Sequence, residues 1–109
     1  MRRGEIWIAS AGSGYVGTPR PVVVIQDDRF EATDSVTVCA MTTDPTDAPL
    51  LRLVIEPTTN QLREPSRLMV DKITTAPRSN LRERIGRLAD DDMIRLARAT
   101  LVFLGLAGS

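Results

Sequence analysis

The sequence predicts a mainly β domain that ends in one α-helix. Short runs of β-branched and other apolar residues recur through most of the chain, and clusters of Gly, Pro, Asp and Thr separate them, as is typical of strands joined by turns. From Asp90 onward the apolar residues recur at helical spacing instead. Because 109 residues suit one compact unit, we expect residues 1–109 to form a single domain.

Five segments have the residue types of β-strands, and a short segment near the end of the chain adds a sixth. In chain order they are Glu5–Ala9, Pro21–Gln26, Val36–Thr42, Leu51–Glu56, Arg67–Val70 and the short Ile85–Leu88. Residues 71–74 continue or kink the fifth strand, and the Gly-rich segment Ser10–Pro19 links the first two. Five to six short strands with one closing helix indicate a small SH3-like barrel.

The C-terminal segment has the signals of an amphipathic helix. Asp90 is the expected N-cap, and Asp91 and Asp92 suit the positive first turn. The residues at helical spacing are Met93, Leu96, Ala97, Leu101 and Leu104. Residues 102–106 are apolar nearly all round, so we expect a partner subunit to cover this end of the helix.

The composition excludes several classes of function. Lys and Arg together number 14, as do Asp and Glu, which argues against a nucleic-acid binder that works through bulk charge but leaves open one with a local basic groove. With no histidine, the commonest general base and metal ligand are absent, and no metal site or cofactor is expected. One cysteine, Cys39 in an apolar run, is expected to be buried, and a reducing cytoplasm is the expected location; no membrane span is predicted.

Two side chains at strand ends are the first candidates for chemistry. Arg20 precedes the apolar run that begins at Pro21, and Thr42 ends the third strand. An arginine presents a planar, permanently charged set of donors that fits a phosphate, and a threonine hydroxyl donates one further hydrogen bond. When the 2′-hydroxyl of the RNA is itself the nucleophile, the protein need only align this hydroxyl with the phosphate, stabilise the charge on the phosphate and transfer protons. Each residue also has a plain structural interpretation: Arg20 as a surface cation at a strand entrance, and Thr42 as an ordinary residue at a strand end.

Three further residues are candidates for contact with RNA. Asp71 is the carboxylate of first interest for proton transfer, although it also suits a turn or a cap. Lys72 beside it is placed to bind RNA phosphates. Tyr15 either stacks on a base or holds its Gly-rich loop in place.

Motifs in order along the chain resemble the MazF/PemK toxin family. They are Arg3-Gly4-Glu5-Ile6-Trp7, residues 20–28 from Arg20-Pro21 to Asp27-Asp28, Ala40-Met41-Thr42-Thr43, Asp71-Lys72-Ile73, Ile85-Gly86-Arg87-Leu88 and Leu104-Gly105-Leu106. The resemblance spans nearly the whole chain, and the order and spacing of the motifs make it specific.

The resemblance implies a fold, an activity and partners. The implied fold is a small SH3-like barrel with a C-terminal helix. The resemblance also implies that two copies of the chain form a homodimer. The activity is that of an mRNA interferase, a metal-independent and sequence-specific endoribonuclease that leaves a 2′,3′-cyclic phosphate and a 5′-hydroxyl. Its catalytic arginine and threonine fall on Arg20 and Thr42. The implied partners are single-stranded RNA, either mRNA or a tRNA or rRNA, and a cognate MazE-like antitoxin that covers the same groove.

The first loop departs from the family pattern. Many members carry Gly-Ser-Glu there, whereas this chain has Gly12-Ser13-Gly14-Tyr15, so the role of that glutamate is unassigned. Two alternatives of other classes remain at this point. One is a non-catalytic CcdB-like toxin that inhibits DNA gyrase through its terminal helix, Met93–Leu106. The other is a plain SH3-like binding module, which the few aromatic residues disfavour.

Overall fold

The computed structural model of the chain describes residues 1–10 and 19–108. These residues form one antiparallel sheet of six strands and a single C-terminal α-helix. The predicted class, mainly β with a C-terminal helix and five to six strands, is therefore confirmed. None of the helices in these residues combines the length and the apolar run that a membrane crossing needs.

The elements follow the predicted order, and the last two strands are longer than predicted. They are β1 (Glu5–Ala9), β2 (Arg20–Val24), β3 (Ser35–Thr42), β4 (Arg52–Ile55), β5 (Ser66–Pro77), β6 (Leu81–Arg87) and α1 (Asp90–Phe103), with short 3-10 turns at Asp28–Phe30 and Arg78–Asn80. The segment 71–74 continues β5 rather than ending it. The sixth strand begins at Leu81, because its first residues pair with β1 although they are largely polar.

The strand order across the sheet is β4-β5-β3-β2-β1-β6. Every pairing between neighbours is antiparallel. The described residues give no ladder between β4 and β6, the two edge strands, so the sheet is not closed by hydrogen bonds. The expected barrel is thus an open one.

The central strands β2 and β3 are buried on both faces. Val23 and Cys39 pack on the side covered by α1, in a cluster that includes Met93 and Leu96 of the helix. The residues that alternate with these along each strand face the other side of the sheet and form a second cluster. Its members in β2 and β3 are Val22, Val24, Val36, Val38 and Ala40. Because successive side chains alternate between faces, a strand covered on both sides must be apolar throughout. This explains the uninterrupted run after Arg20.

The helix differs from the sequence prediction at its start. It begins at Asp90, and the N-cap is Ala89, which makes no side-chain capping hydrogen bond. The prediction of Asp90 as the N-cap was therefore wrong, although Asp90, Asp91 and Asp92 all lie in the first turn. At the other end Phe103, Leu104 and Leu106 are largely exposed in the single chain. Their cover by a partner subunit stays a prediction.

A close backbone contact holds the connection from β4 to β5 against β6. The buried Asn60 side chain accepts hydrogen bonds from the backbone amides of Thr58 and Leu62 and donates one to the Glu56 carbonyl. The Asn60 carbonyl oxygen would lie 2.1 Å from a Cβ added at Gly86. Only glycine therefore allows this approach of loop and strand.

We expect the substitution Gly86→Ala to destabilise the protein by about 1–3 kcal/mol, because the rigid Asn60 backbone must move to make room for a methyl group. Gly108→Ala is the matched control, since an added Cβ meets nothing within 4 Å there. Chemical denaturation of both variants measures the difference. Equal stability of Gly86→Ala and the native protein would contradict the contact.

Cys39 is expected to be chemically silent in the folded protein. Burial raises the pKa of its thiol to about 12, above the ordinary value of 9.0. Only about one molecule in ten thousand then carries the reactive thiolate at pH 8. We expect no reaction with iodoacetamide at that pH until denaturant is added, as measured by mass spectrometry. Rapid labelling of the native protein would show that the strand opens.

Candidate active site

One cleft of about 650 Å³ gathers the residues that the sequence analysis singled out at the strand ends. It lies where the first residue of β2, the last residue of β3, and strands β4 and β5 come together. Its lining consists of Arg20, Thr42, Thr43, Asp44, Pro45, Thr46, Arg52, Met69 and Lys72.

Arg20 and Thr42 are brought together by the register of β2 and β3. Val22 lies opposite Ala40 in this antiparallel pair. The ladder ends at this pair, and two residues beyond it along each strand are Arg20 and Thr42, which face the same side of the sheet as Val22 and Ala40. Both side chains are half-buried. The predicted pair is therefore adjacent and lines one cleft.

The hydroxyl of Thr42 is oriented by the turn that follows β3. Its Oγ1 accepts a hydrogen bond from the backbone amide of Asp44 at 3.1 Å. Since the oxygen is the acceptor there, the hydroxyl hydrogen is left to donate elsewhere. The Asp44 carboxylate in turn accepts from the amide and the hydroxyl of Thr46, which fixes the turn. The geometry suits a hydroxyl that donates to an oxygen bound in the cleft.

An irregularity in β5 positions Asp71 and Lys72. Between the pairs Cys39 with Ile73 and Met41 with Leu68, β3 advances by two residues while β5 advances by five. Residues 69–72 of β5 have no partner in the ladder with β3, and Asp71 and Lys72 are two of them. Lys72 is exposed and lines the cleft. Asp71 forms an ion pair with Arg52 of β4 and does not belong to the residues that line the cleft.

Arg52 is a residue of the cleft that sequence reasoning missed. In the sequence it is one charged residue in a strand of alternating apolar and other residues. Its pairing with Asp71, which lies 19 positions further along the chain, depends on the bulge in β5. The alternation of residue types along this strand does not indicate Asp71 as the partner of Arg52. No other local signal could have found it.

The charge of the cleft differs from that of the whole chain. Its lining carries three cations, Arg20, Arg52 and Lys72, against one carboxylate, Asp44. The chain itself has a formal net charge of zero. The cleft therefore favours an anionic ligand, and guanidinium groups match the oxygens of a phosphate. Within residues 1–10 and 19–108, no group of three or more His, Cys, Asp and Glu side chains is arranged to hold a metal ion.

A second cleft, of about 700 Å³, lies beside the connection from β4 to β5. Its charged side chains are of both signs: Arg63, Arg84, Glu64 and Glu83. It contains neither Arg20 nor Thr42, so it is separate from the candidate site. The remaining candidate, Tyr15, lies outside the described residues.

Comparison with known proteins supports a single family. Residues 2–104 match the family model described as PemK-like, MazF-like toxin of type II toxin–antitoxin system. A curated relative, "Probable endoribonuclease MazF" of Mycolicibacterium smegmatis, is 62% identical over 99% of this chain and all of its own length.

Solved structures with the same fold include two mycobacterial proteins. The Mycobacterium tuberculosis toxin MazF-mt6 is 25% identical with a TM-score of 0.81, over 94% of this chain and 98% of that one. A structure described as an endoribonuclease in complex with its cognate antitoxin, from Mycobacterial species, is 21% identical with a TM-score of 0.82, over 100% and 99% of the two chains. The second likeness supports the fold alone. On the family match and the 62% identity, this chain belongs to the PemK-like, MazF-like toxins of type II toxin–antitoxin systems.

Proposed function

We propose that the chain is an endoribonuclease toxin that cuts single-stranded RNA at specific sequences through attack by the 2′-hydroxyl. The observation that carries the proposal is that Arg20 and Thr42, from neighbouring strands, line one cationic cleft. Membership of the toxin family and the name of the 62% identical relative support the same activity.

Arg20 and Thr42 supply charge stabilisation in the proposed reaction. The 2′ oxygen forms a bond to phosphorus while the bond from phosphorus to the 5′ oxygen breaks. One proton leaves the 2′-hydroxyl and one is delivered to the 5′ oxygen, which gives a 2′,3′-cyclic phosphate and a 5′-hydroxyl. The guanidinium of Arg20 and the hydroxyl of Thr42 donate to the non-bridging oxygens, where negative charge develops. Arginine remains protonated throughout, so it stabilises this charge without exchanging protons.

The proposed substrate is a single-stranded segment, with mRNA as the first candidate and tRNA or rRNA as others. In-line attack needs a splayed backbone, and unpaired bases can be read on their edges. The nucleophile belongs to the RNA and the charge is stabilised by side chains, so the mechanism needs no metal. Lys72 contributes a phosphate contact, and Tyr15 a stacking contact in the first loop.

The proposed partners follow from the family. Residues 1–109 act as a single toxin domain, assemble as a homodimer and are neutralised by a cognate MazE-like antitoxin. A relative of the same fold is described in complex with its cognate antitoxin, and an acidic segment would complement the three cations of the cleft. The proposed location is the cytoplasm, where mRNA is available. The CcdB-like alternative is not favoured, because the family match and the 62% identical relative both point to the endoribonuclease.

We expect Arg20→Ala to lower RNA cleavage by about 10²- to 10³-fold, the loss typical of removing one donor to a developing negative charge. Arg82→Ala, an exposed arginine of β6, is the matched control and should cleave normally. Mapping the ends of a long RNA, with and without a chelator, checks both points. Full activity of Arg20→Ala, or loss of cleavage in the chelator, would contradict the mechanism.

We expect Thr42→Ala to lower the rate of cleavage by about 10²-fold while leaving the affinity for RNA nearly unchanged, since one hydrogen bond in the transition state is lost. Thr37→Ala removes a hydroxyl from the same strand, where it bonds to Thr75 at 2.9 Å outside the cleft. This control should retain the native rate. Single-turnover kinetics separate rate from affinity, and an equal loss in both variants would indicate a structural effect.

A further inference from the structure

We propose that Arg52 binds a phosphate that flanks the scissile one, and that Asp71 is the positioning residue that holds its guanidinium in place. This inference rests on the proposed ribonuclease function and adds two residues to it. It also gives Asp71 a role other than proton transfer. The starting observation is the ion pair between Arg52 and Asp71 at the edge of the cleft.

The contacts of Arg52 leave part of its guanidinium available. Among the described residues, Nη1 makes both of its hydrogen bonds, one to the Asp71 carboxylate and one to the Leu51 carbonyl at 3.3 Å. Nη2 and Nε are not used by these bonds. An arginine has five N–H donors in a fixed plane, so anchoring one nitrogen orients the others. Because the Arg52 side chain lines the cleft, its remaining N–H donors are available to a phosphate bound there.

Burial makes this orientation firm. The Arg52 side chain is 16% exposed and the Asp71 side chain 27% exposed, whereas the ion pair of Arg2 with Asp28 has side chains 58% and 36% exposed. A partly buried pair is less screened by water and salt than a surface pair. The guanidinium therefore keeps one position before RNA arrives, which lowers the entropy lost on binding.

The position of Arg52 in the sheet points to a flanking phosphate. Arg52 lies on β4, and β5 separates this strand from β3 with Thr42. Two strand spacings amount to about 10 Å. One phosphate held by Arg20 and Thr42 leaves Arg52 to meet its neighbour along the RNA backbone. Lys72, on the bulge between them, belongs to the same cationic track.

The role of Asp71 can be tested by the direction of an effect. Removing a carboxylate beside a cationic cleft should strengthen RNA binding if only net charge matters. If Asp71 instead holds Arg52 in place, Asp71→Asn should weaken binding. The two interpretations thus predict opposite signs for one substitution. A general base would show itself separately, as a change in the acidic limb of the pH–rate profile.

The experiment measures the affinity of the full chain for a short RNA that spans a cut made by the native protein. A 2′-deoxy nucleotide at the cut removes the nucleophile, so that binding is observed without cleavage. We expect Arg52→Ala to weaken binding about tenfold, as for loss of a charge-assisted hydrogen bond. Arg52→Lys should fall between Arg52→Ala and the native protein, and Arg82→Ala should bind as the native protein does. Thermal melts verify that each variant is folded.

We expect Asp71→Asn to weaken binding by several-fold, and the double variant Arg52→Ala/Asp71→Asn to bind no worse than Arg52→Ala alone, because Asp71 acts through Arg52. The acidic limb of the pH–rate profile should be unchanged in Asp71→Asn. Native affinity in both Arg52→Ala and Arg52→Lys would overturn the phosphate site. Tighter or unchanged binding of Asp71→Asn, or additive losses in the double variant, would overturn its positioning role.

The same assays separate this inference from the proposed function. If the native protein cuts no RNA, the proposed function fails, and the inference that rests on it fails too. If the native protein cuts RNA and Arg20→Ala does not, while Arg52→Ala binds normally, the proposed function stands and only this inference is overturned.

Discussion

The candidate site depends on the antiparallel pairing of β2 with β3. These two strands are buried on both faces, so a shift by one residue would exchange their two sets of packed side chains between the clusters. The packing therefore fixes the register, and the register brings Arg20 and Thr42 to the same end of the two strands. A pair of polar side chains at the ends of rigid apolar strands is held with little freedom. The core thus supplies the alignment that the proposed RNA cleavage by the 2′-hydroxyl requires.

The bulge in β5 supplies the second half of the site. In a regular ladder residues 69–72 would each pair with a residue of β3. The shift in register instead leaves them outside this ladder, with Asp71 and Lys72 at the edge of the cleft. Bulges commonly re-aim side chains next to functional sites. Here the consequence is a cluster of cations on a chain whose formal net charge is zero. Local geometry, and not composition, generates the attraction for an anionic ligand.

The helix connects the core to the surface on which assembly would take place. Its first half packs through Met93 and Leu96 against the sheet, and Arg95 donates to the Val54 carbonyl of β4, on the strand that carries Arg52. Its last turn leaves Phe103 and Leu104 exposed. An apolar helix end on a small domain is typical of an interface between subunits.

The sequence by itself determined the class of the fold, the order of the elements, the burial of Cys39 and the family. Each of these is carried by a local pattern or by motifs in order along the chain, such as the apolar run after Arg20. The sequence also placed Arg20 and Thr42 at strand ends, because strand ends can be recognised from the residues around them; their role in catalysis stays a proposal. The tertiary structure alone decided that no ladder joins β4 to β6 in the described part of the chain, that the helix begins at Asp90 and that Asp71 meets Arg52. These features depend on contacts between distant segments and on the bulge in β5, which leave no periodic signal in the chain.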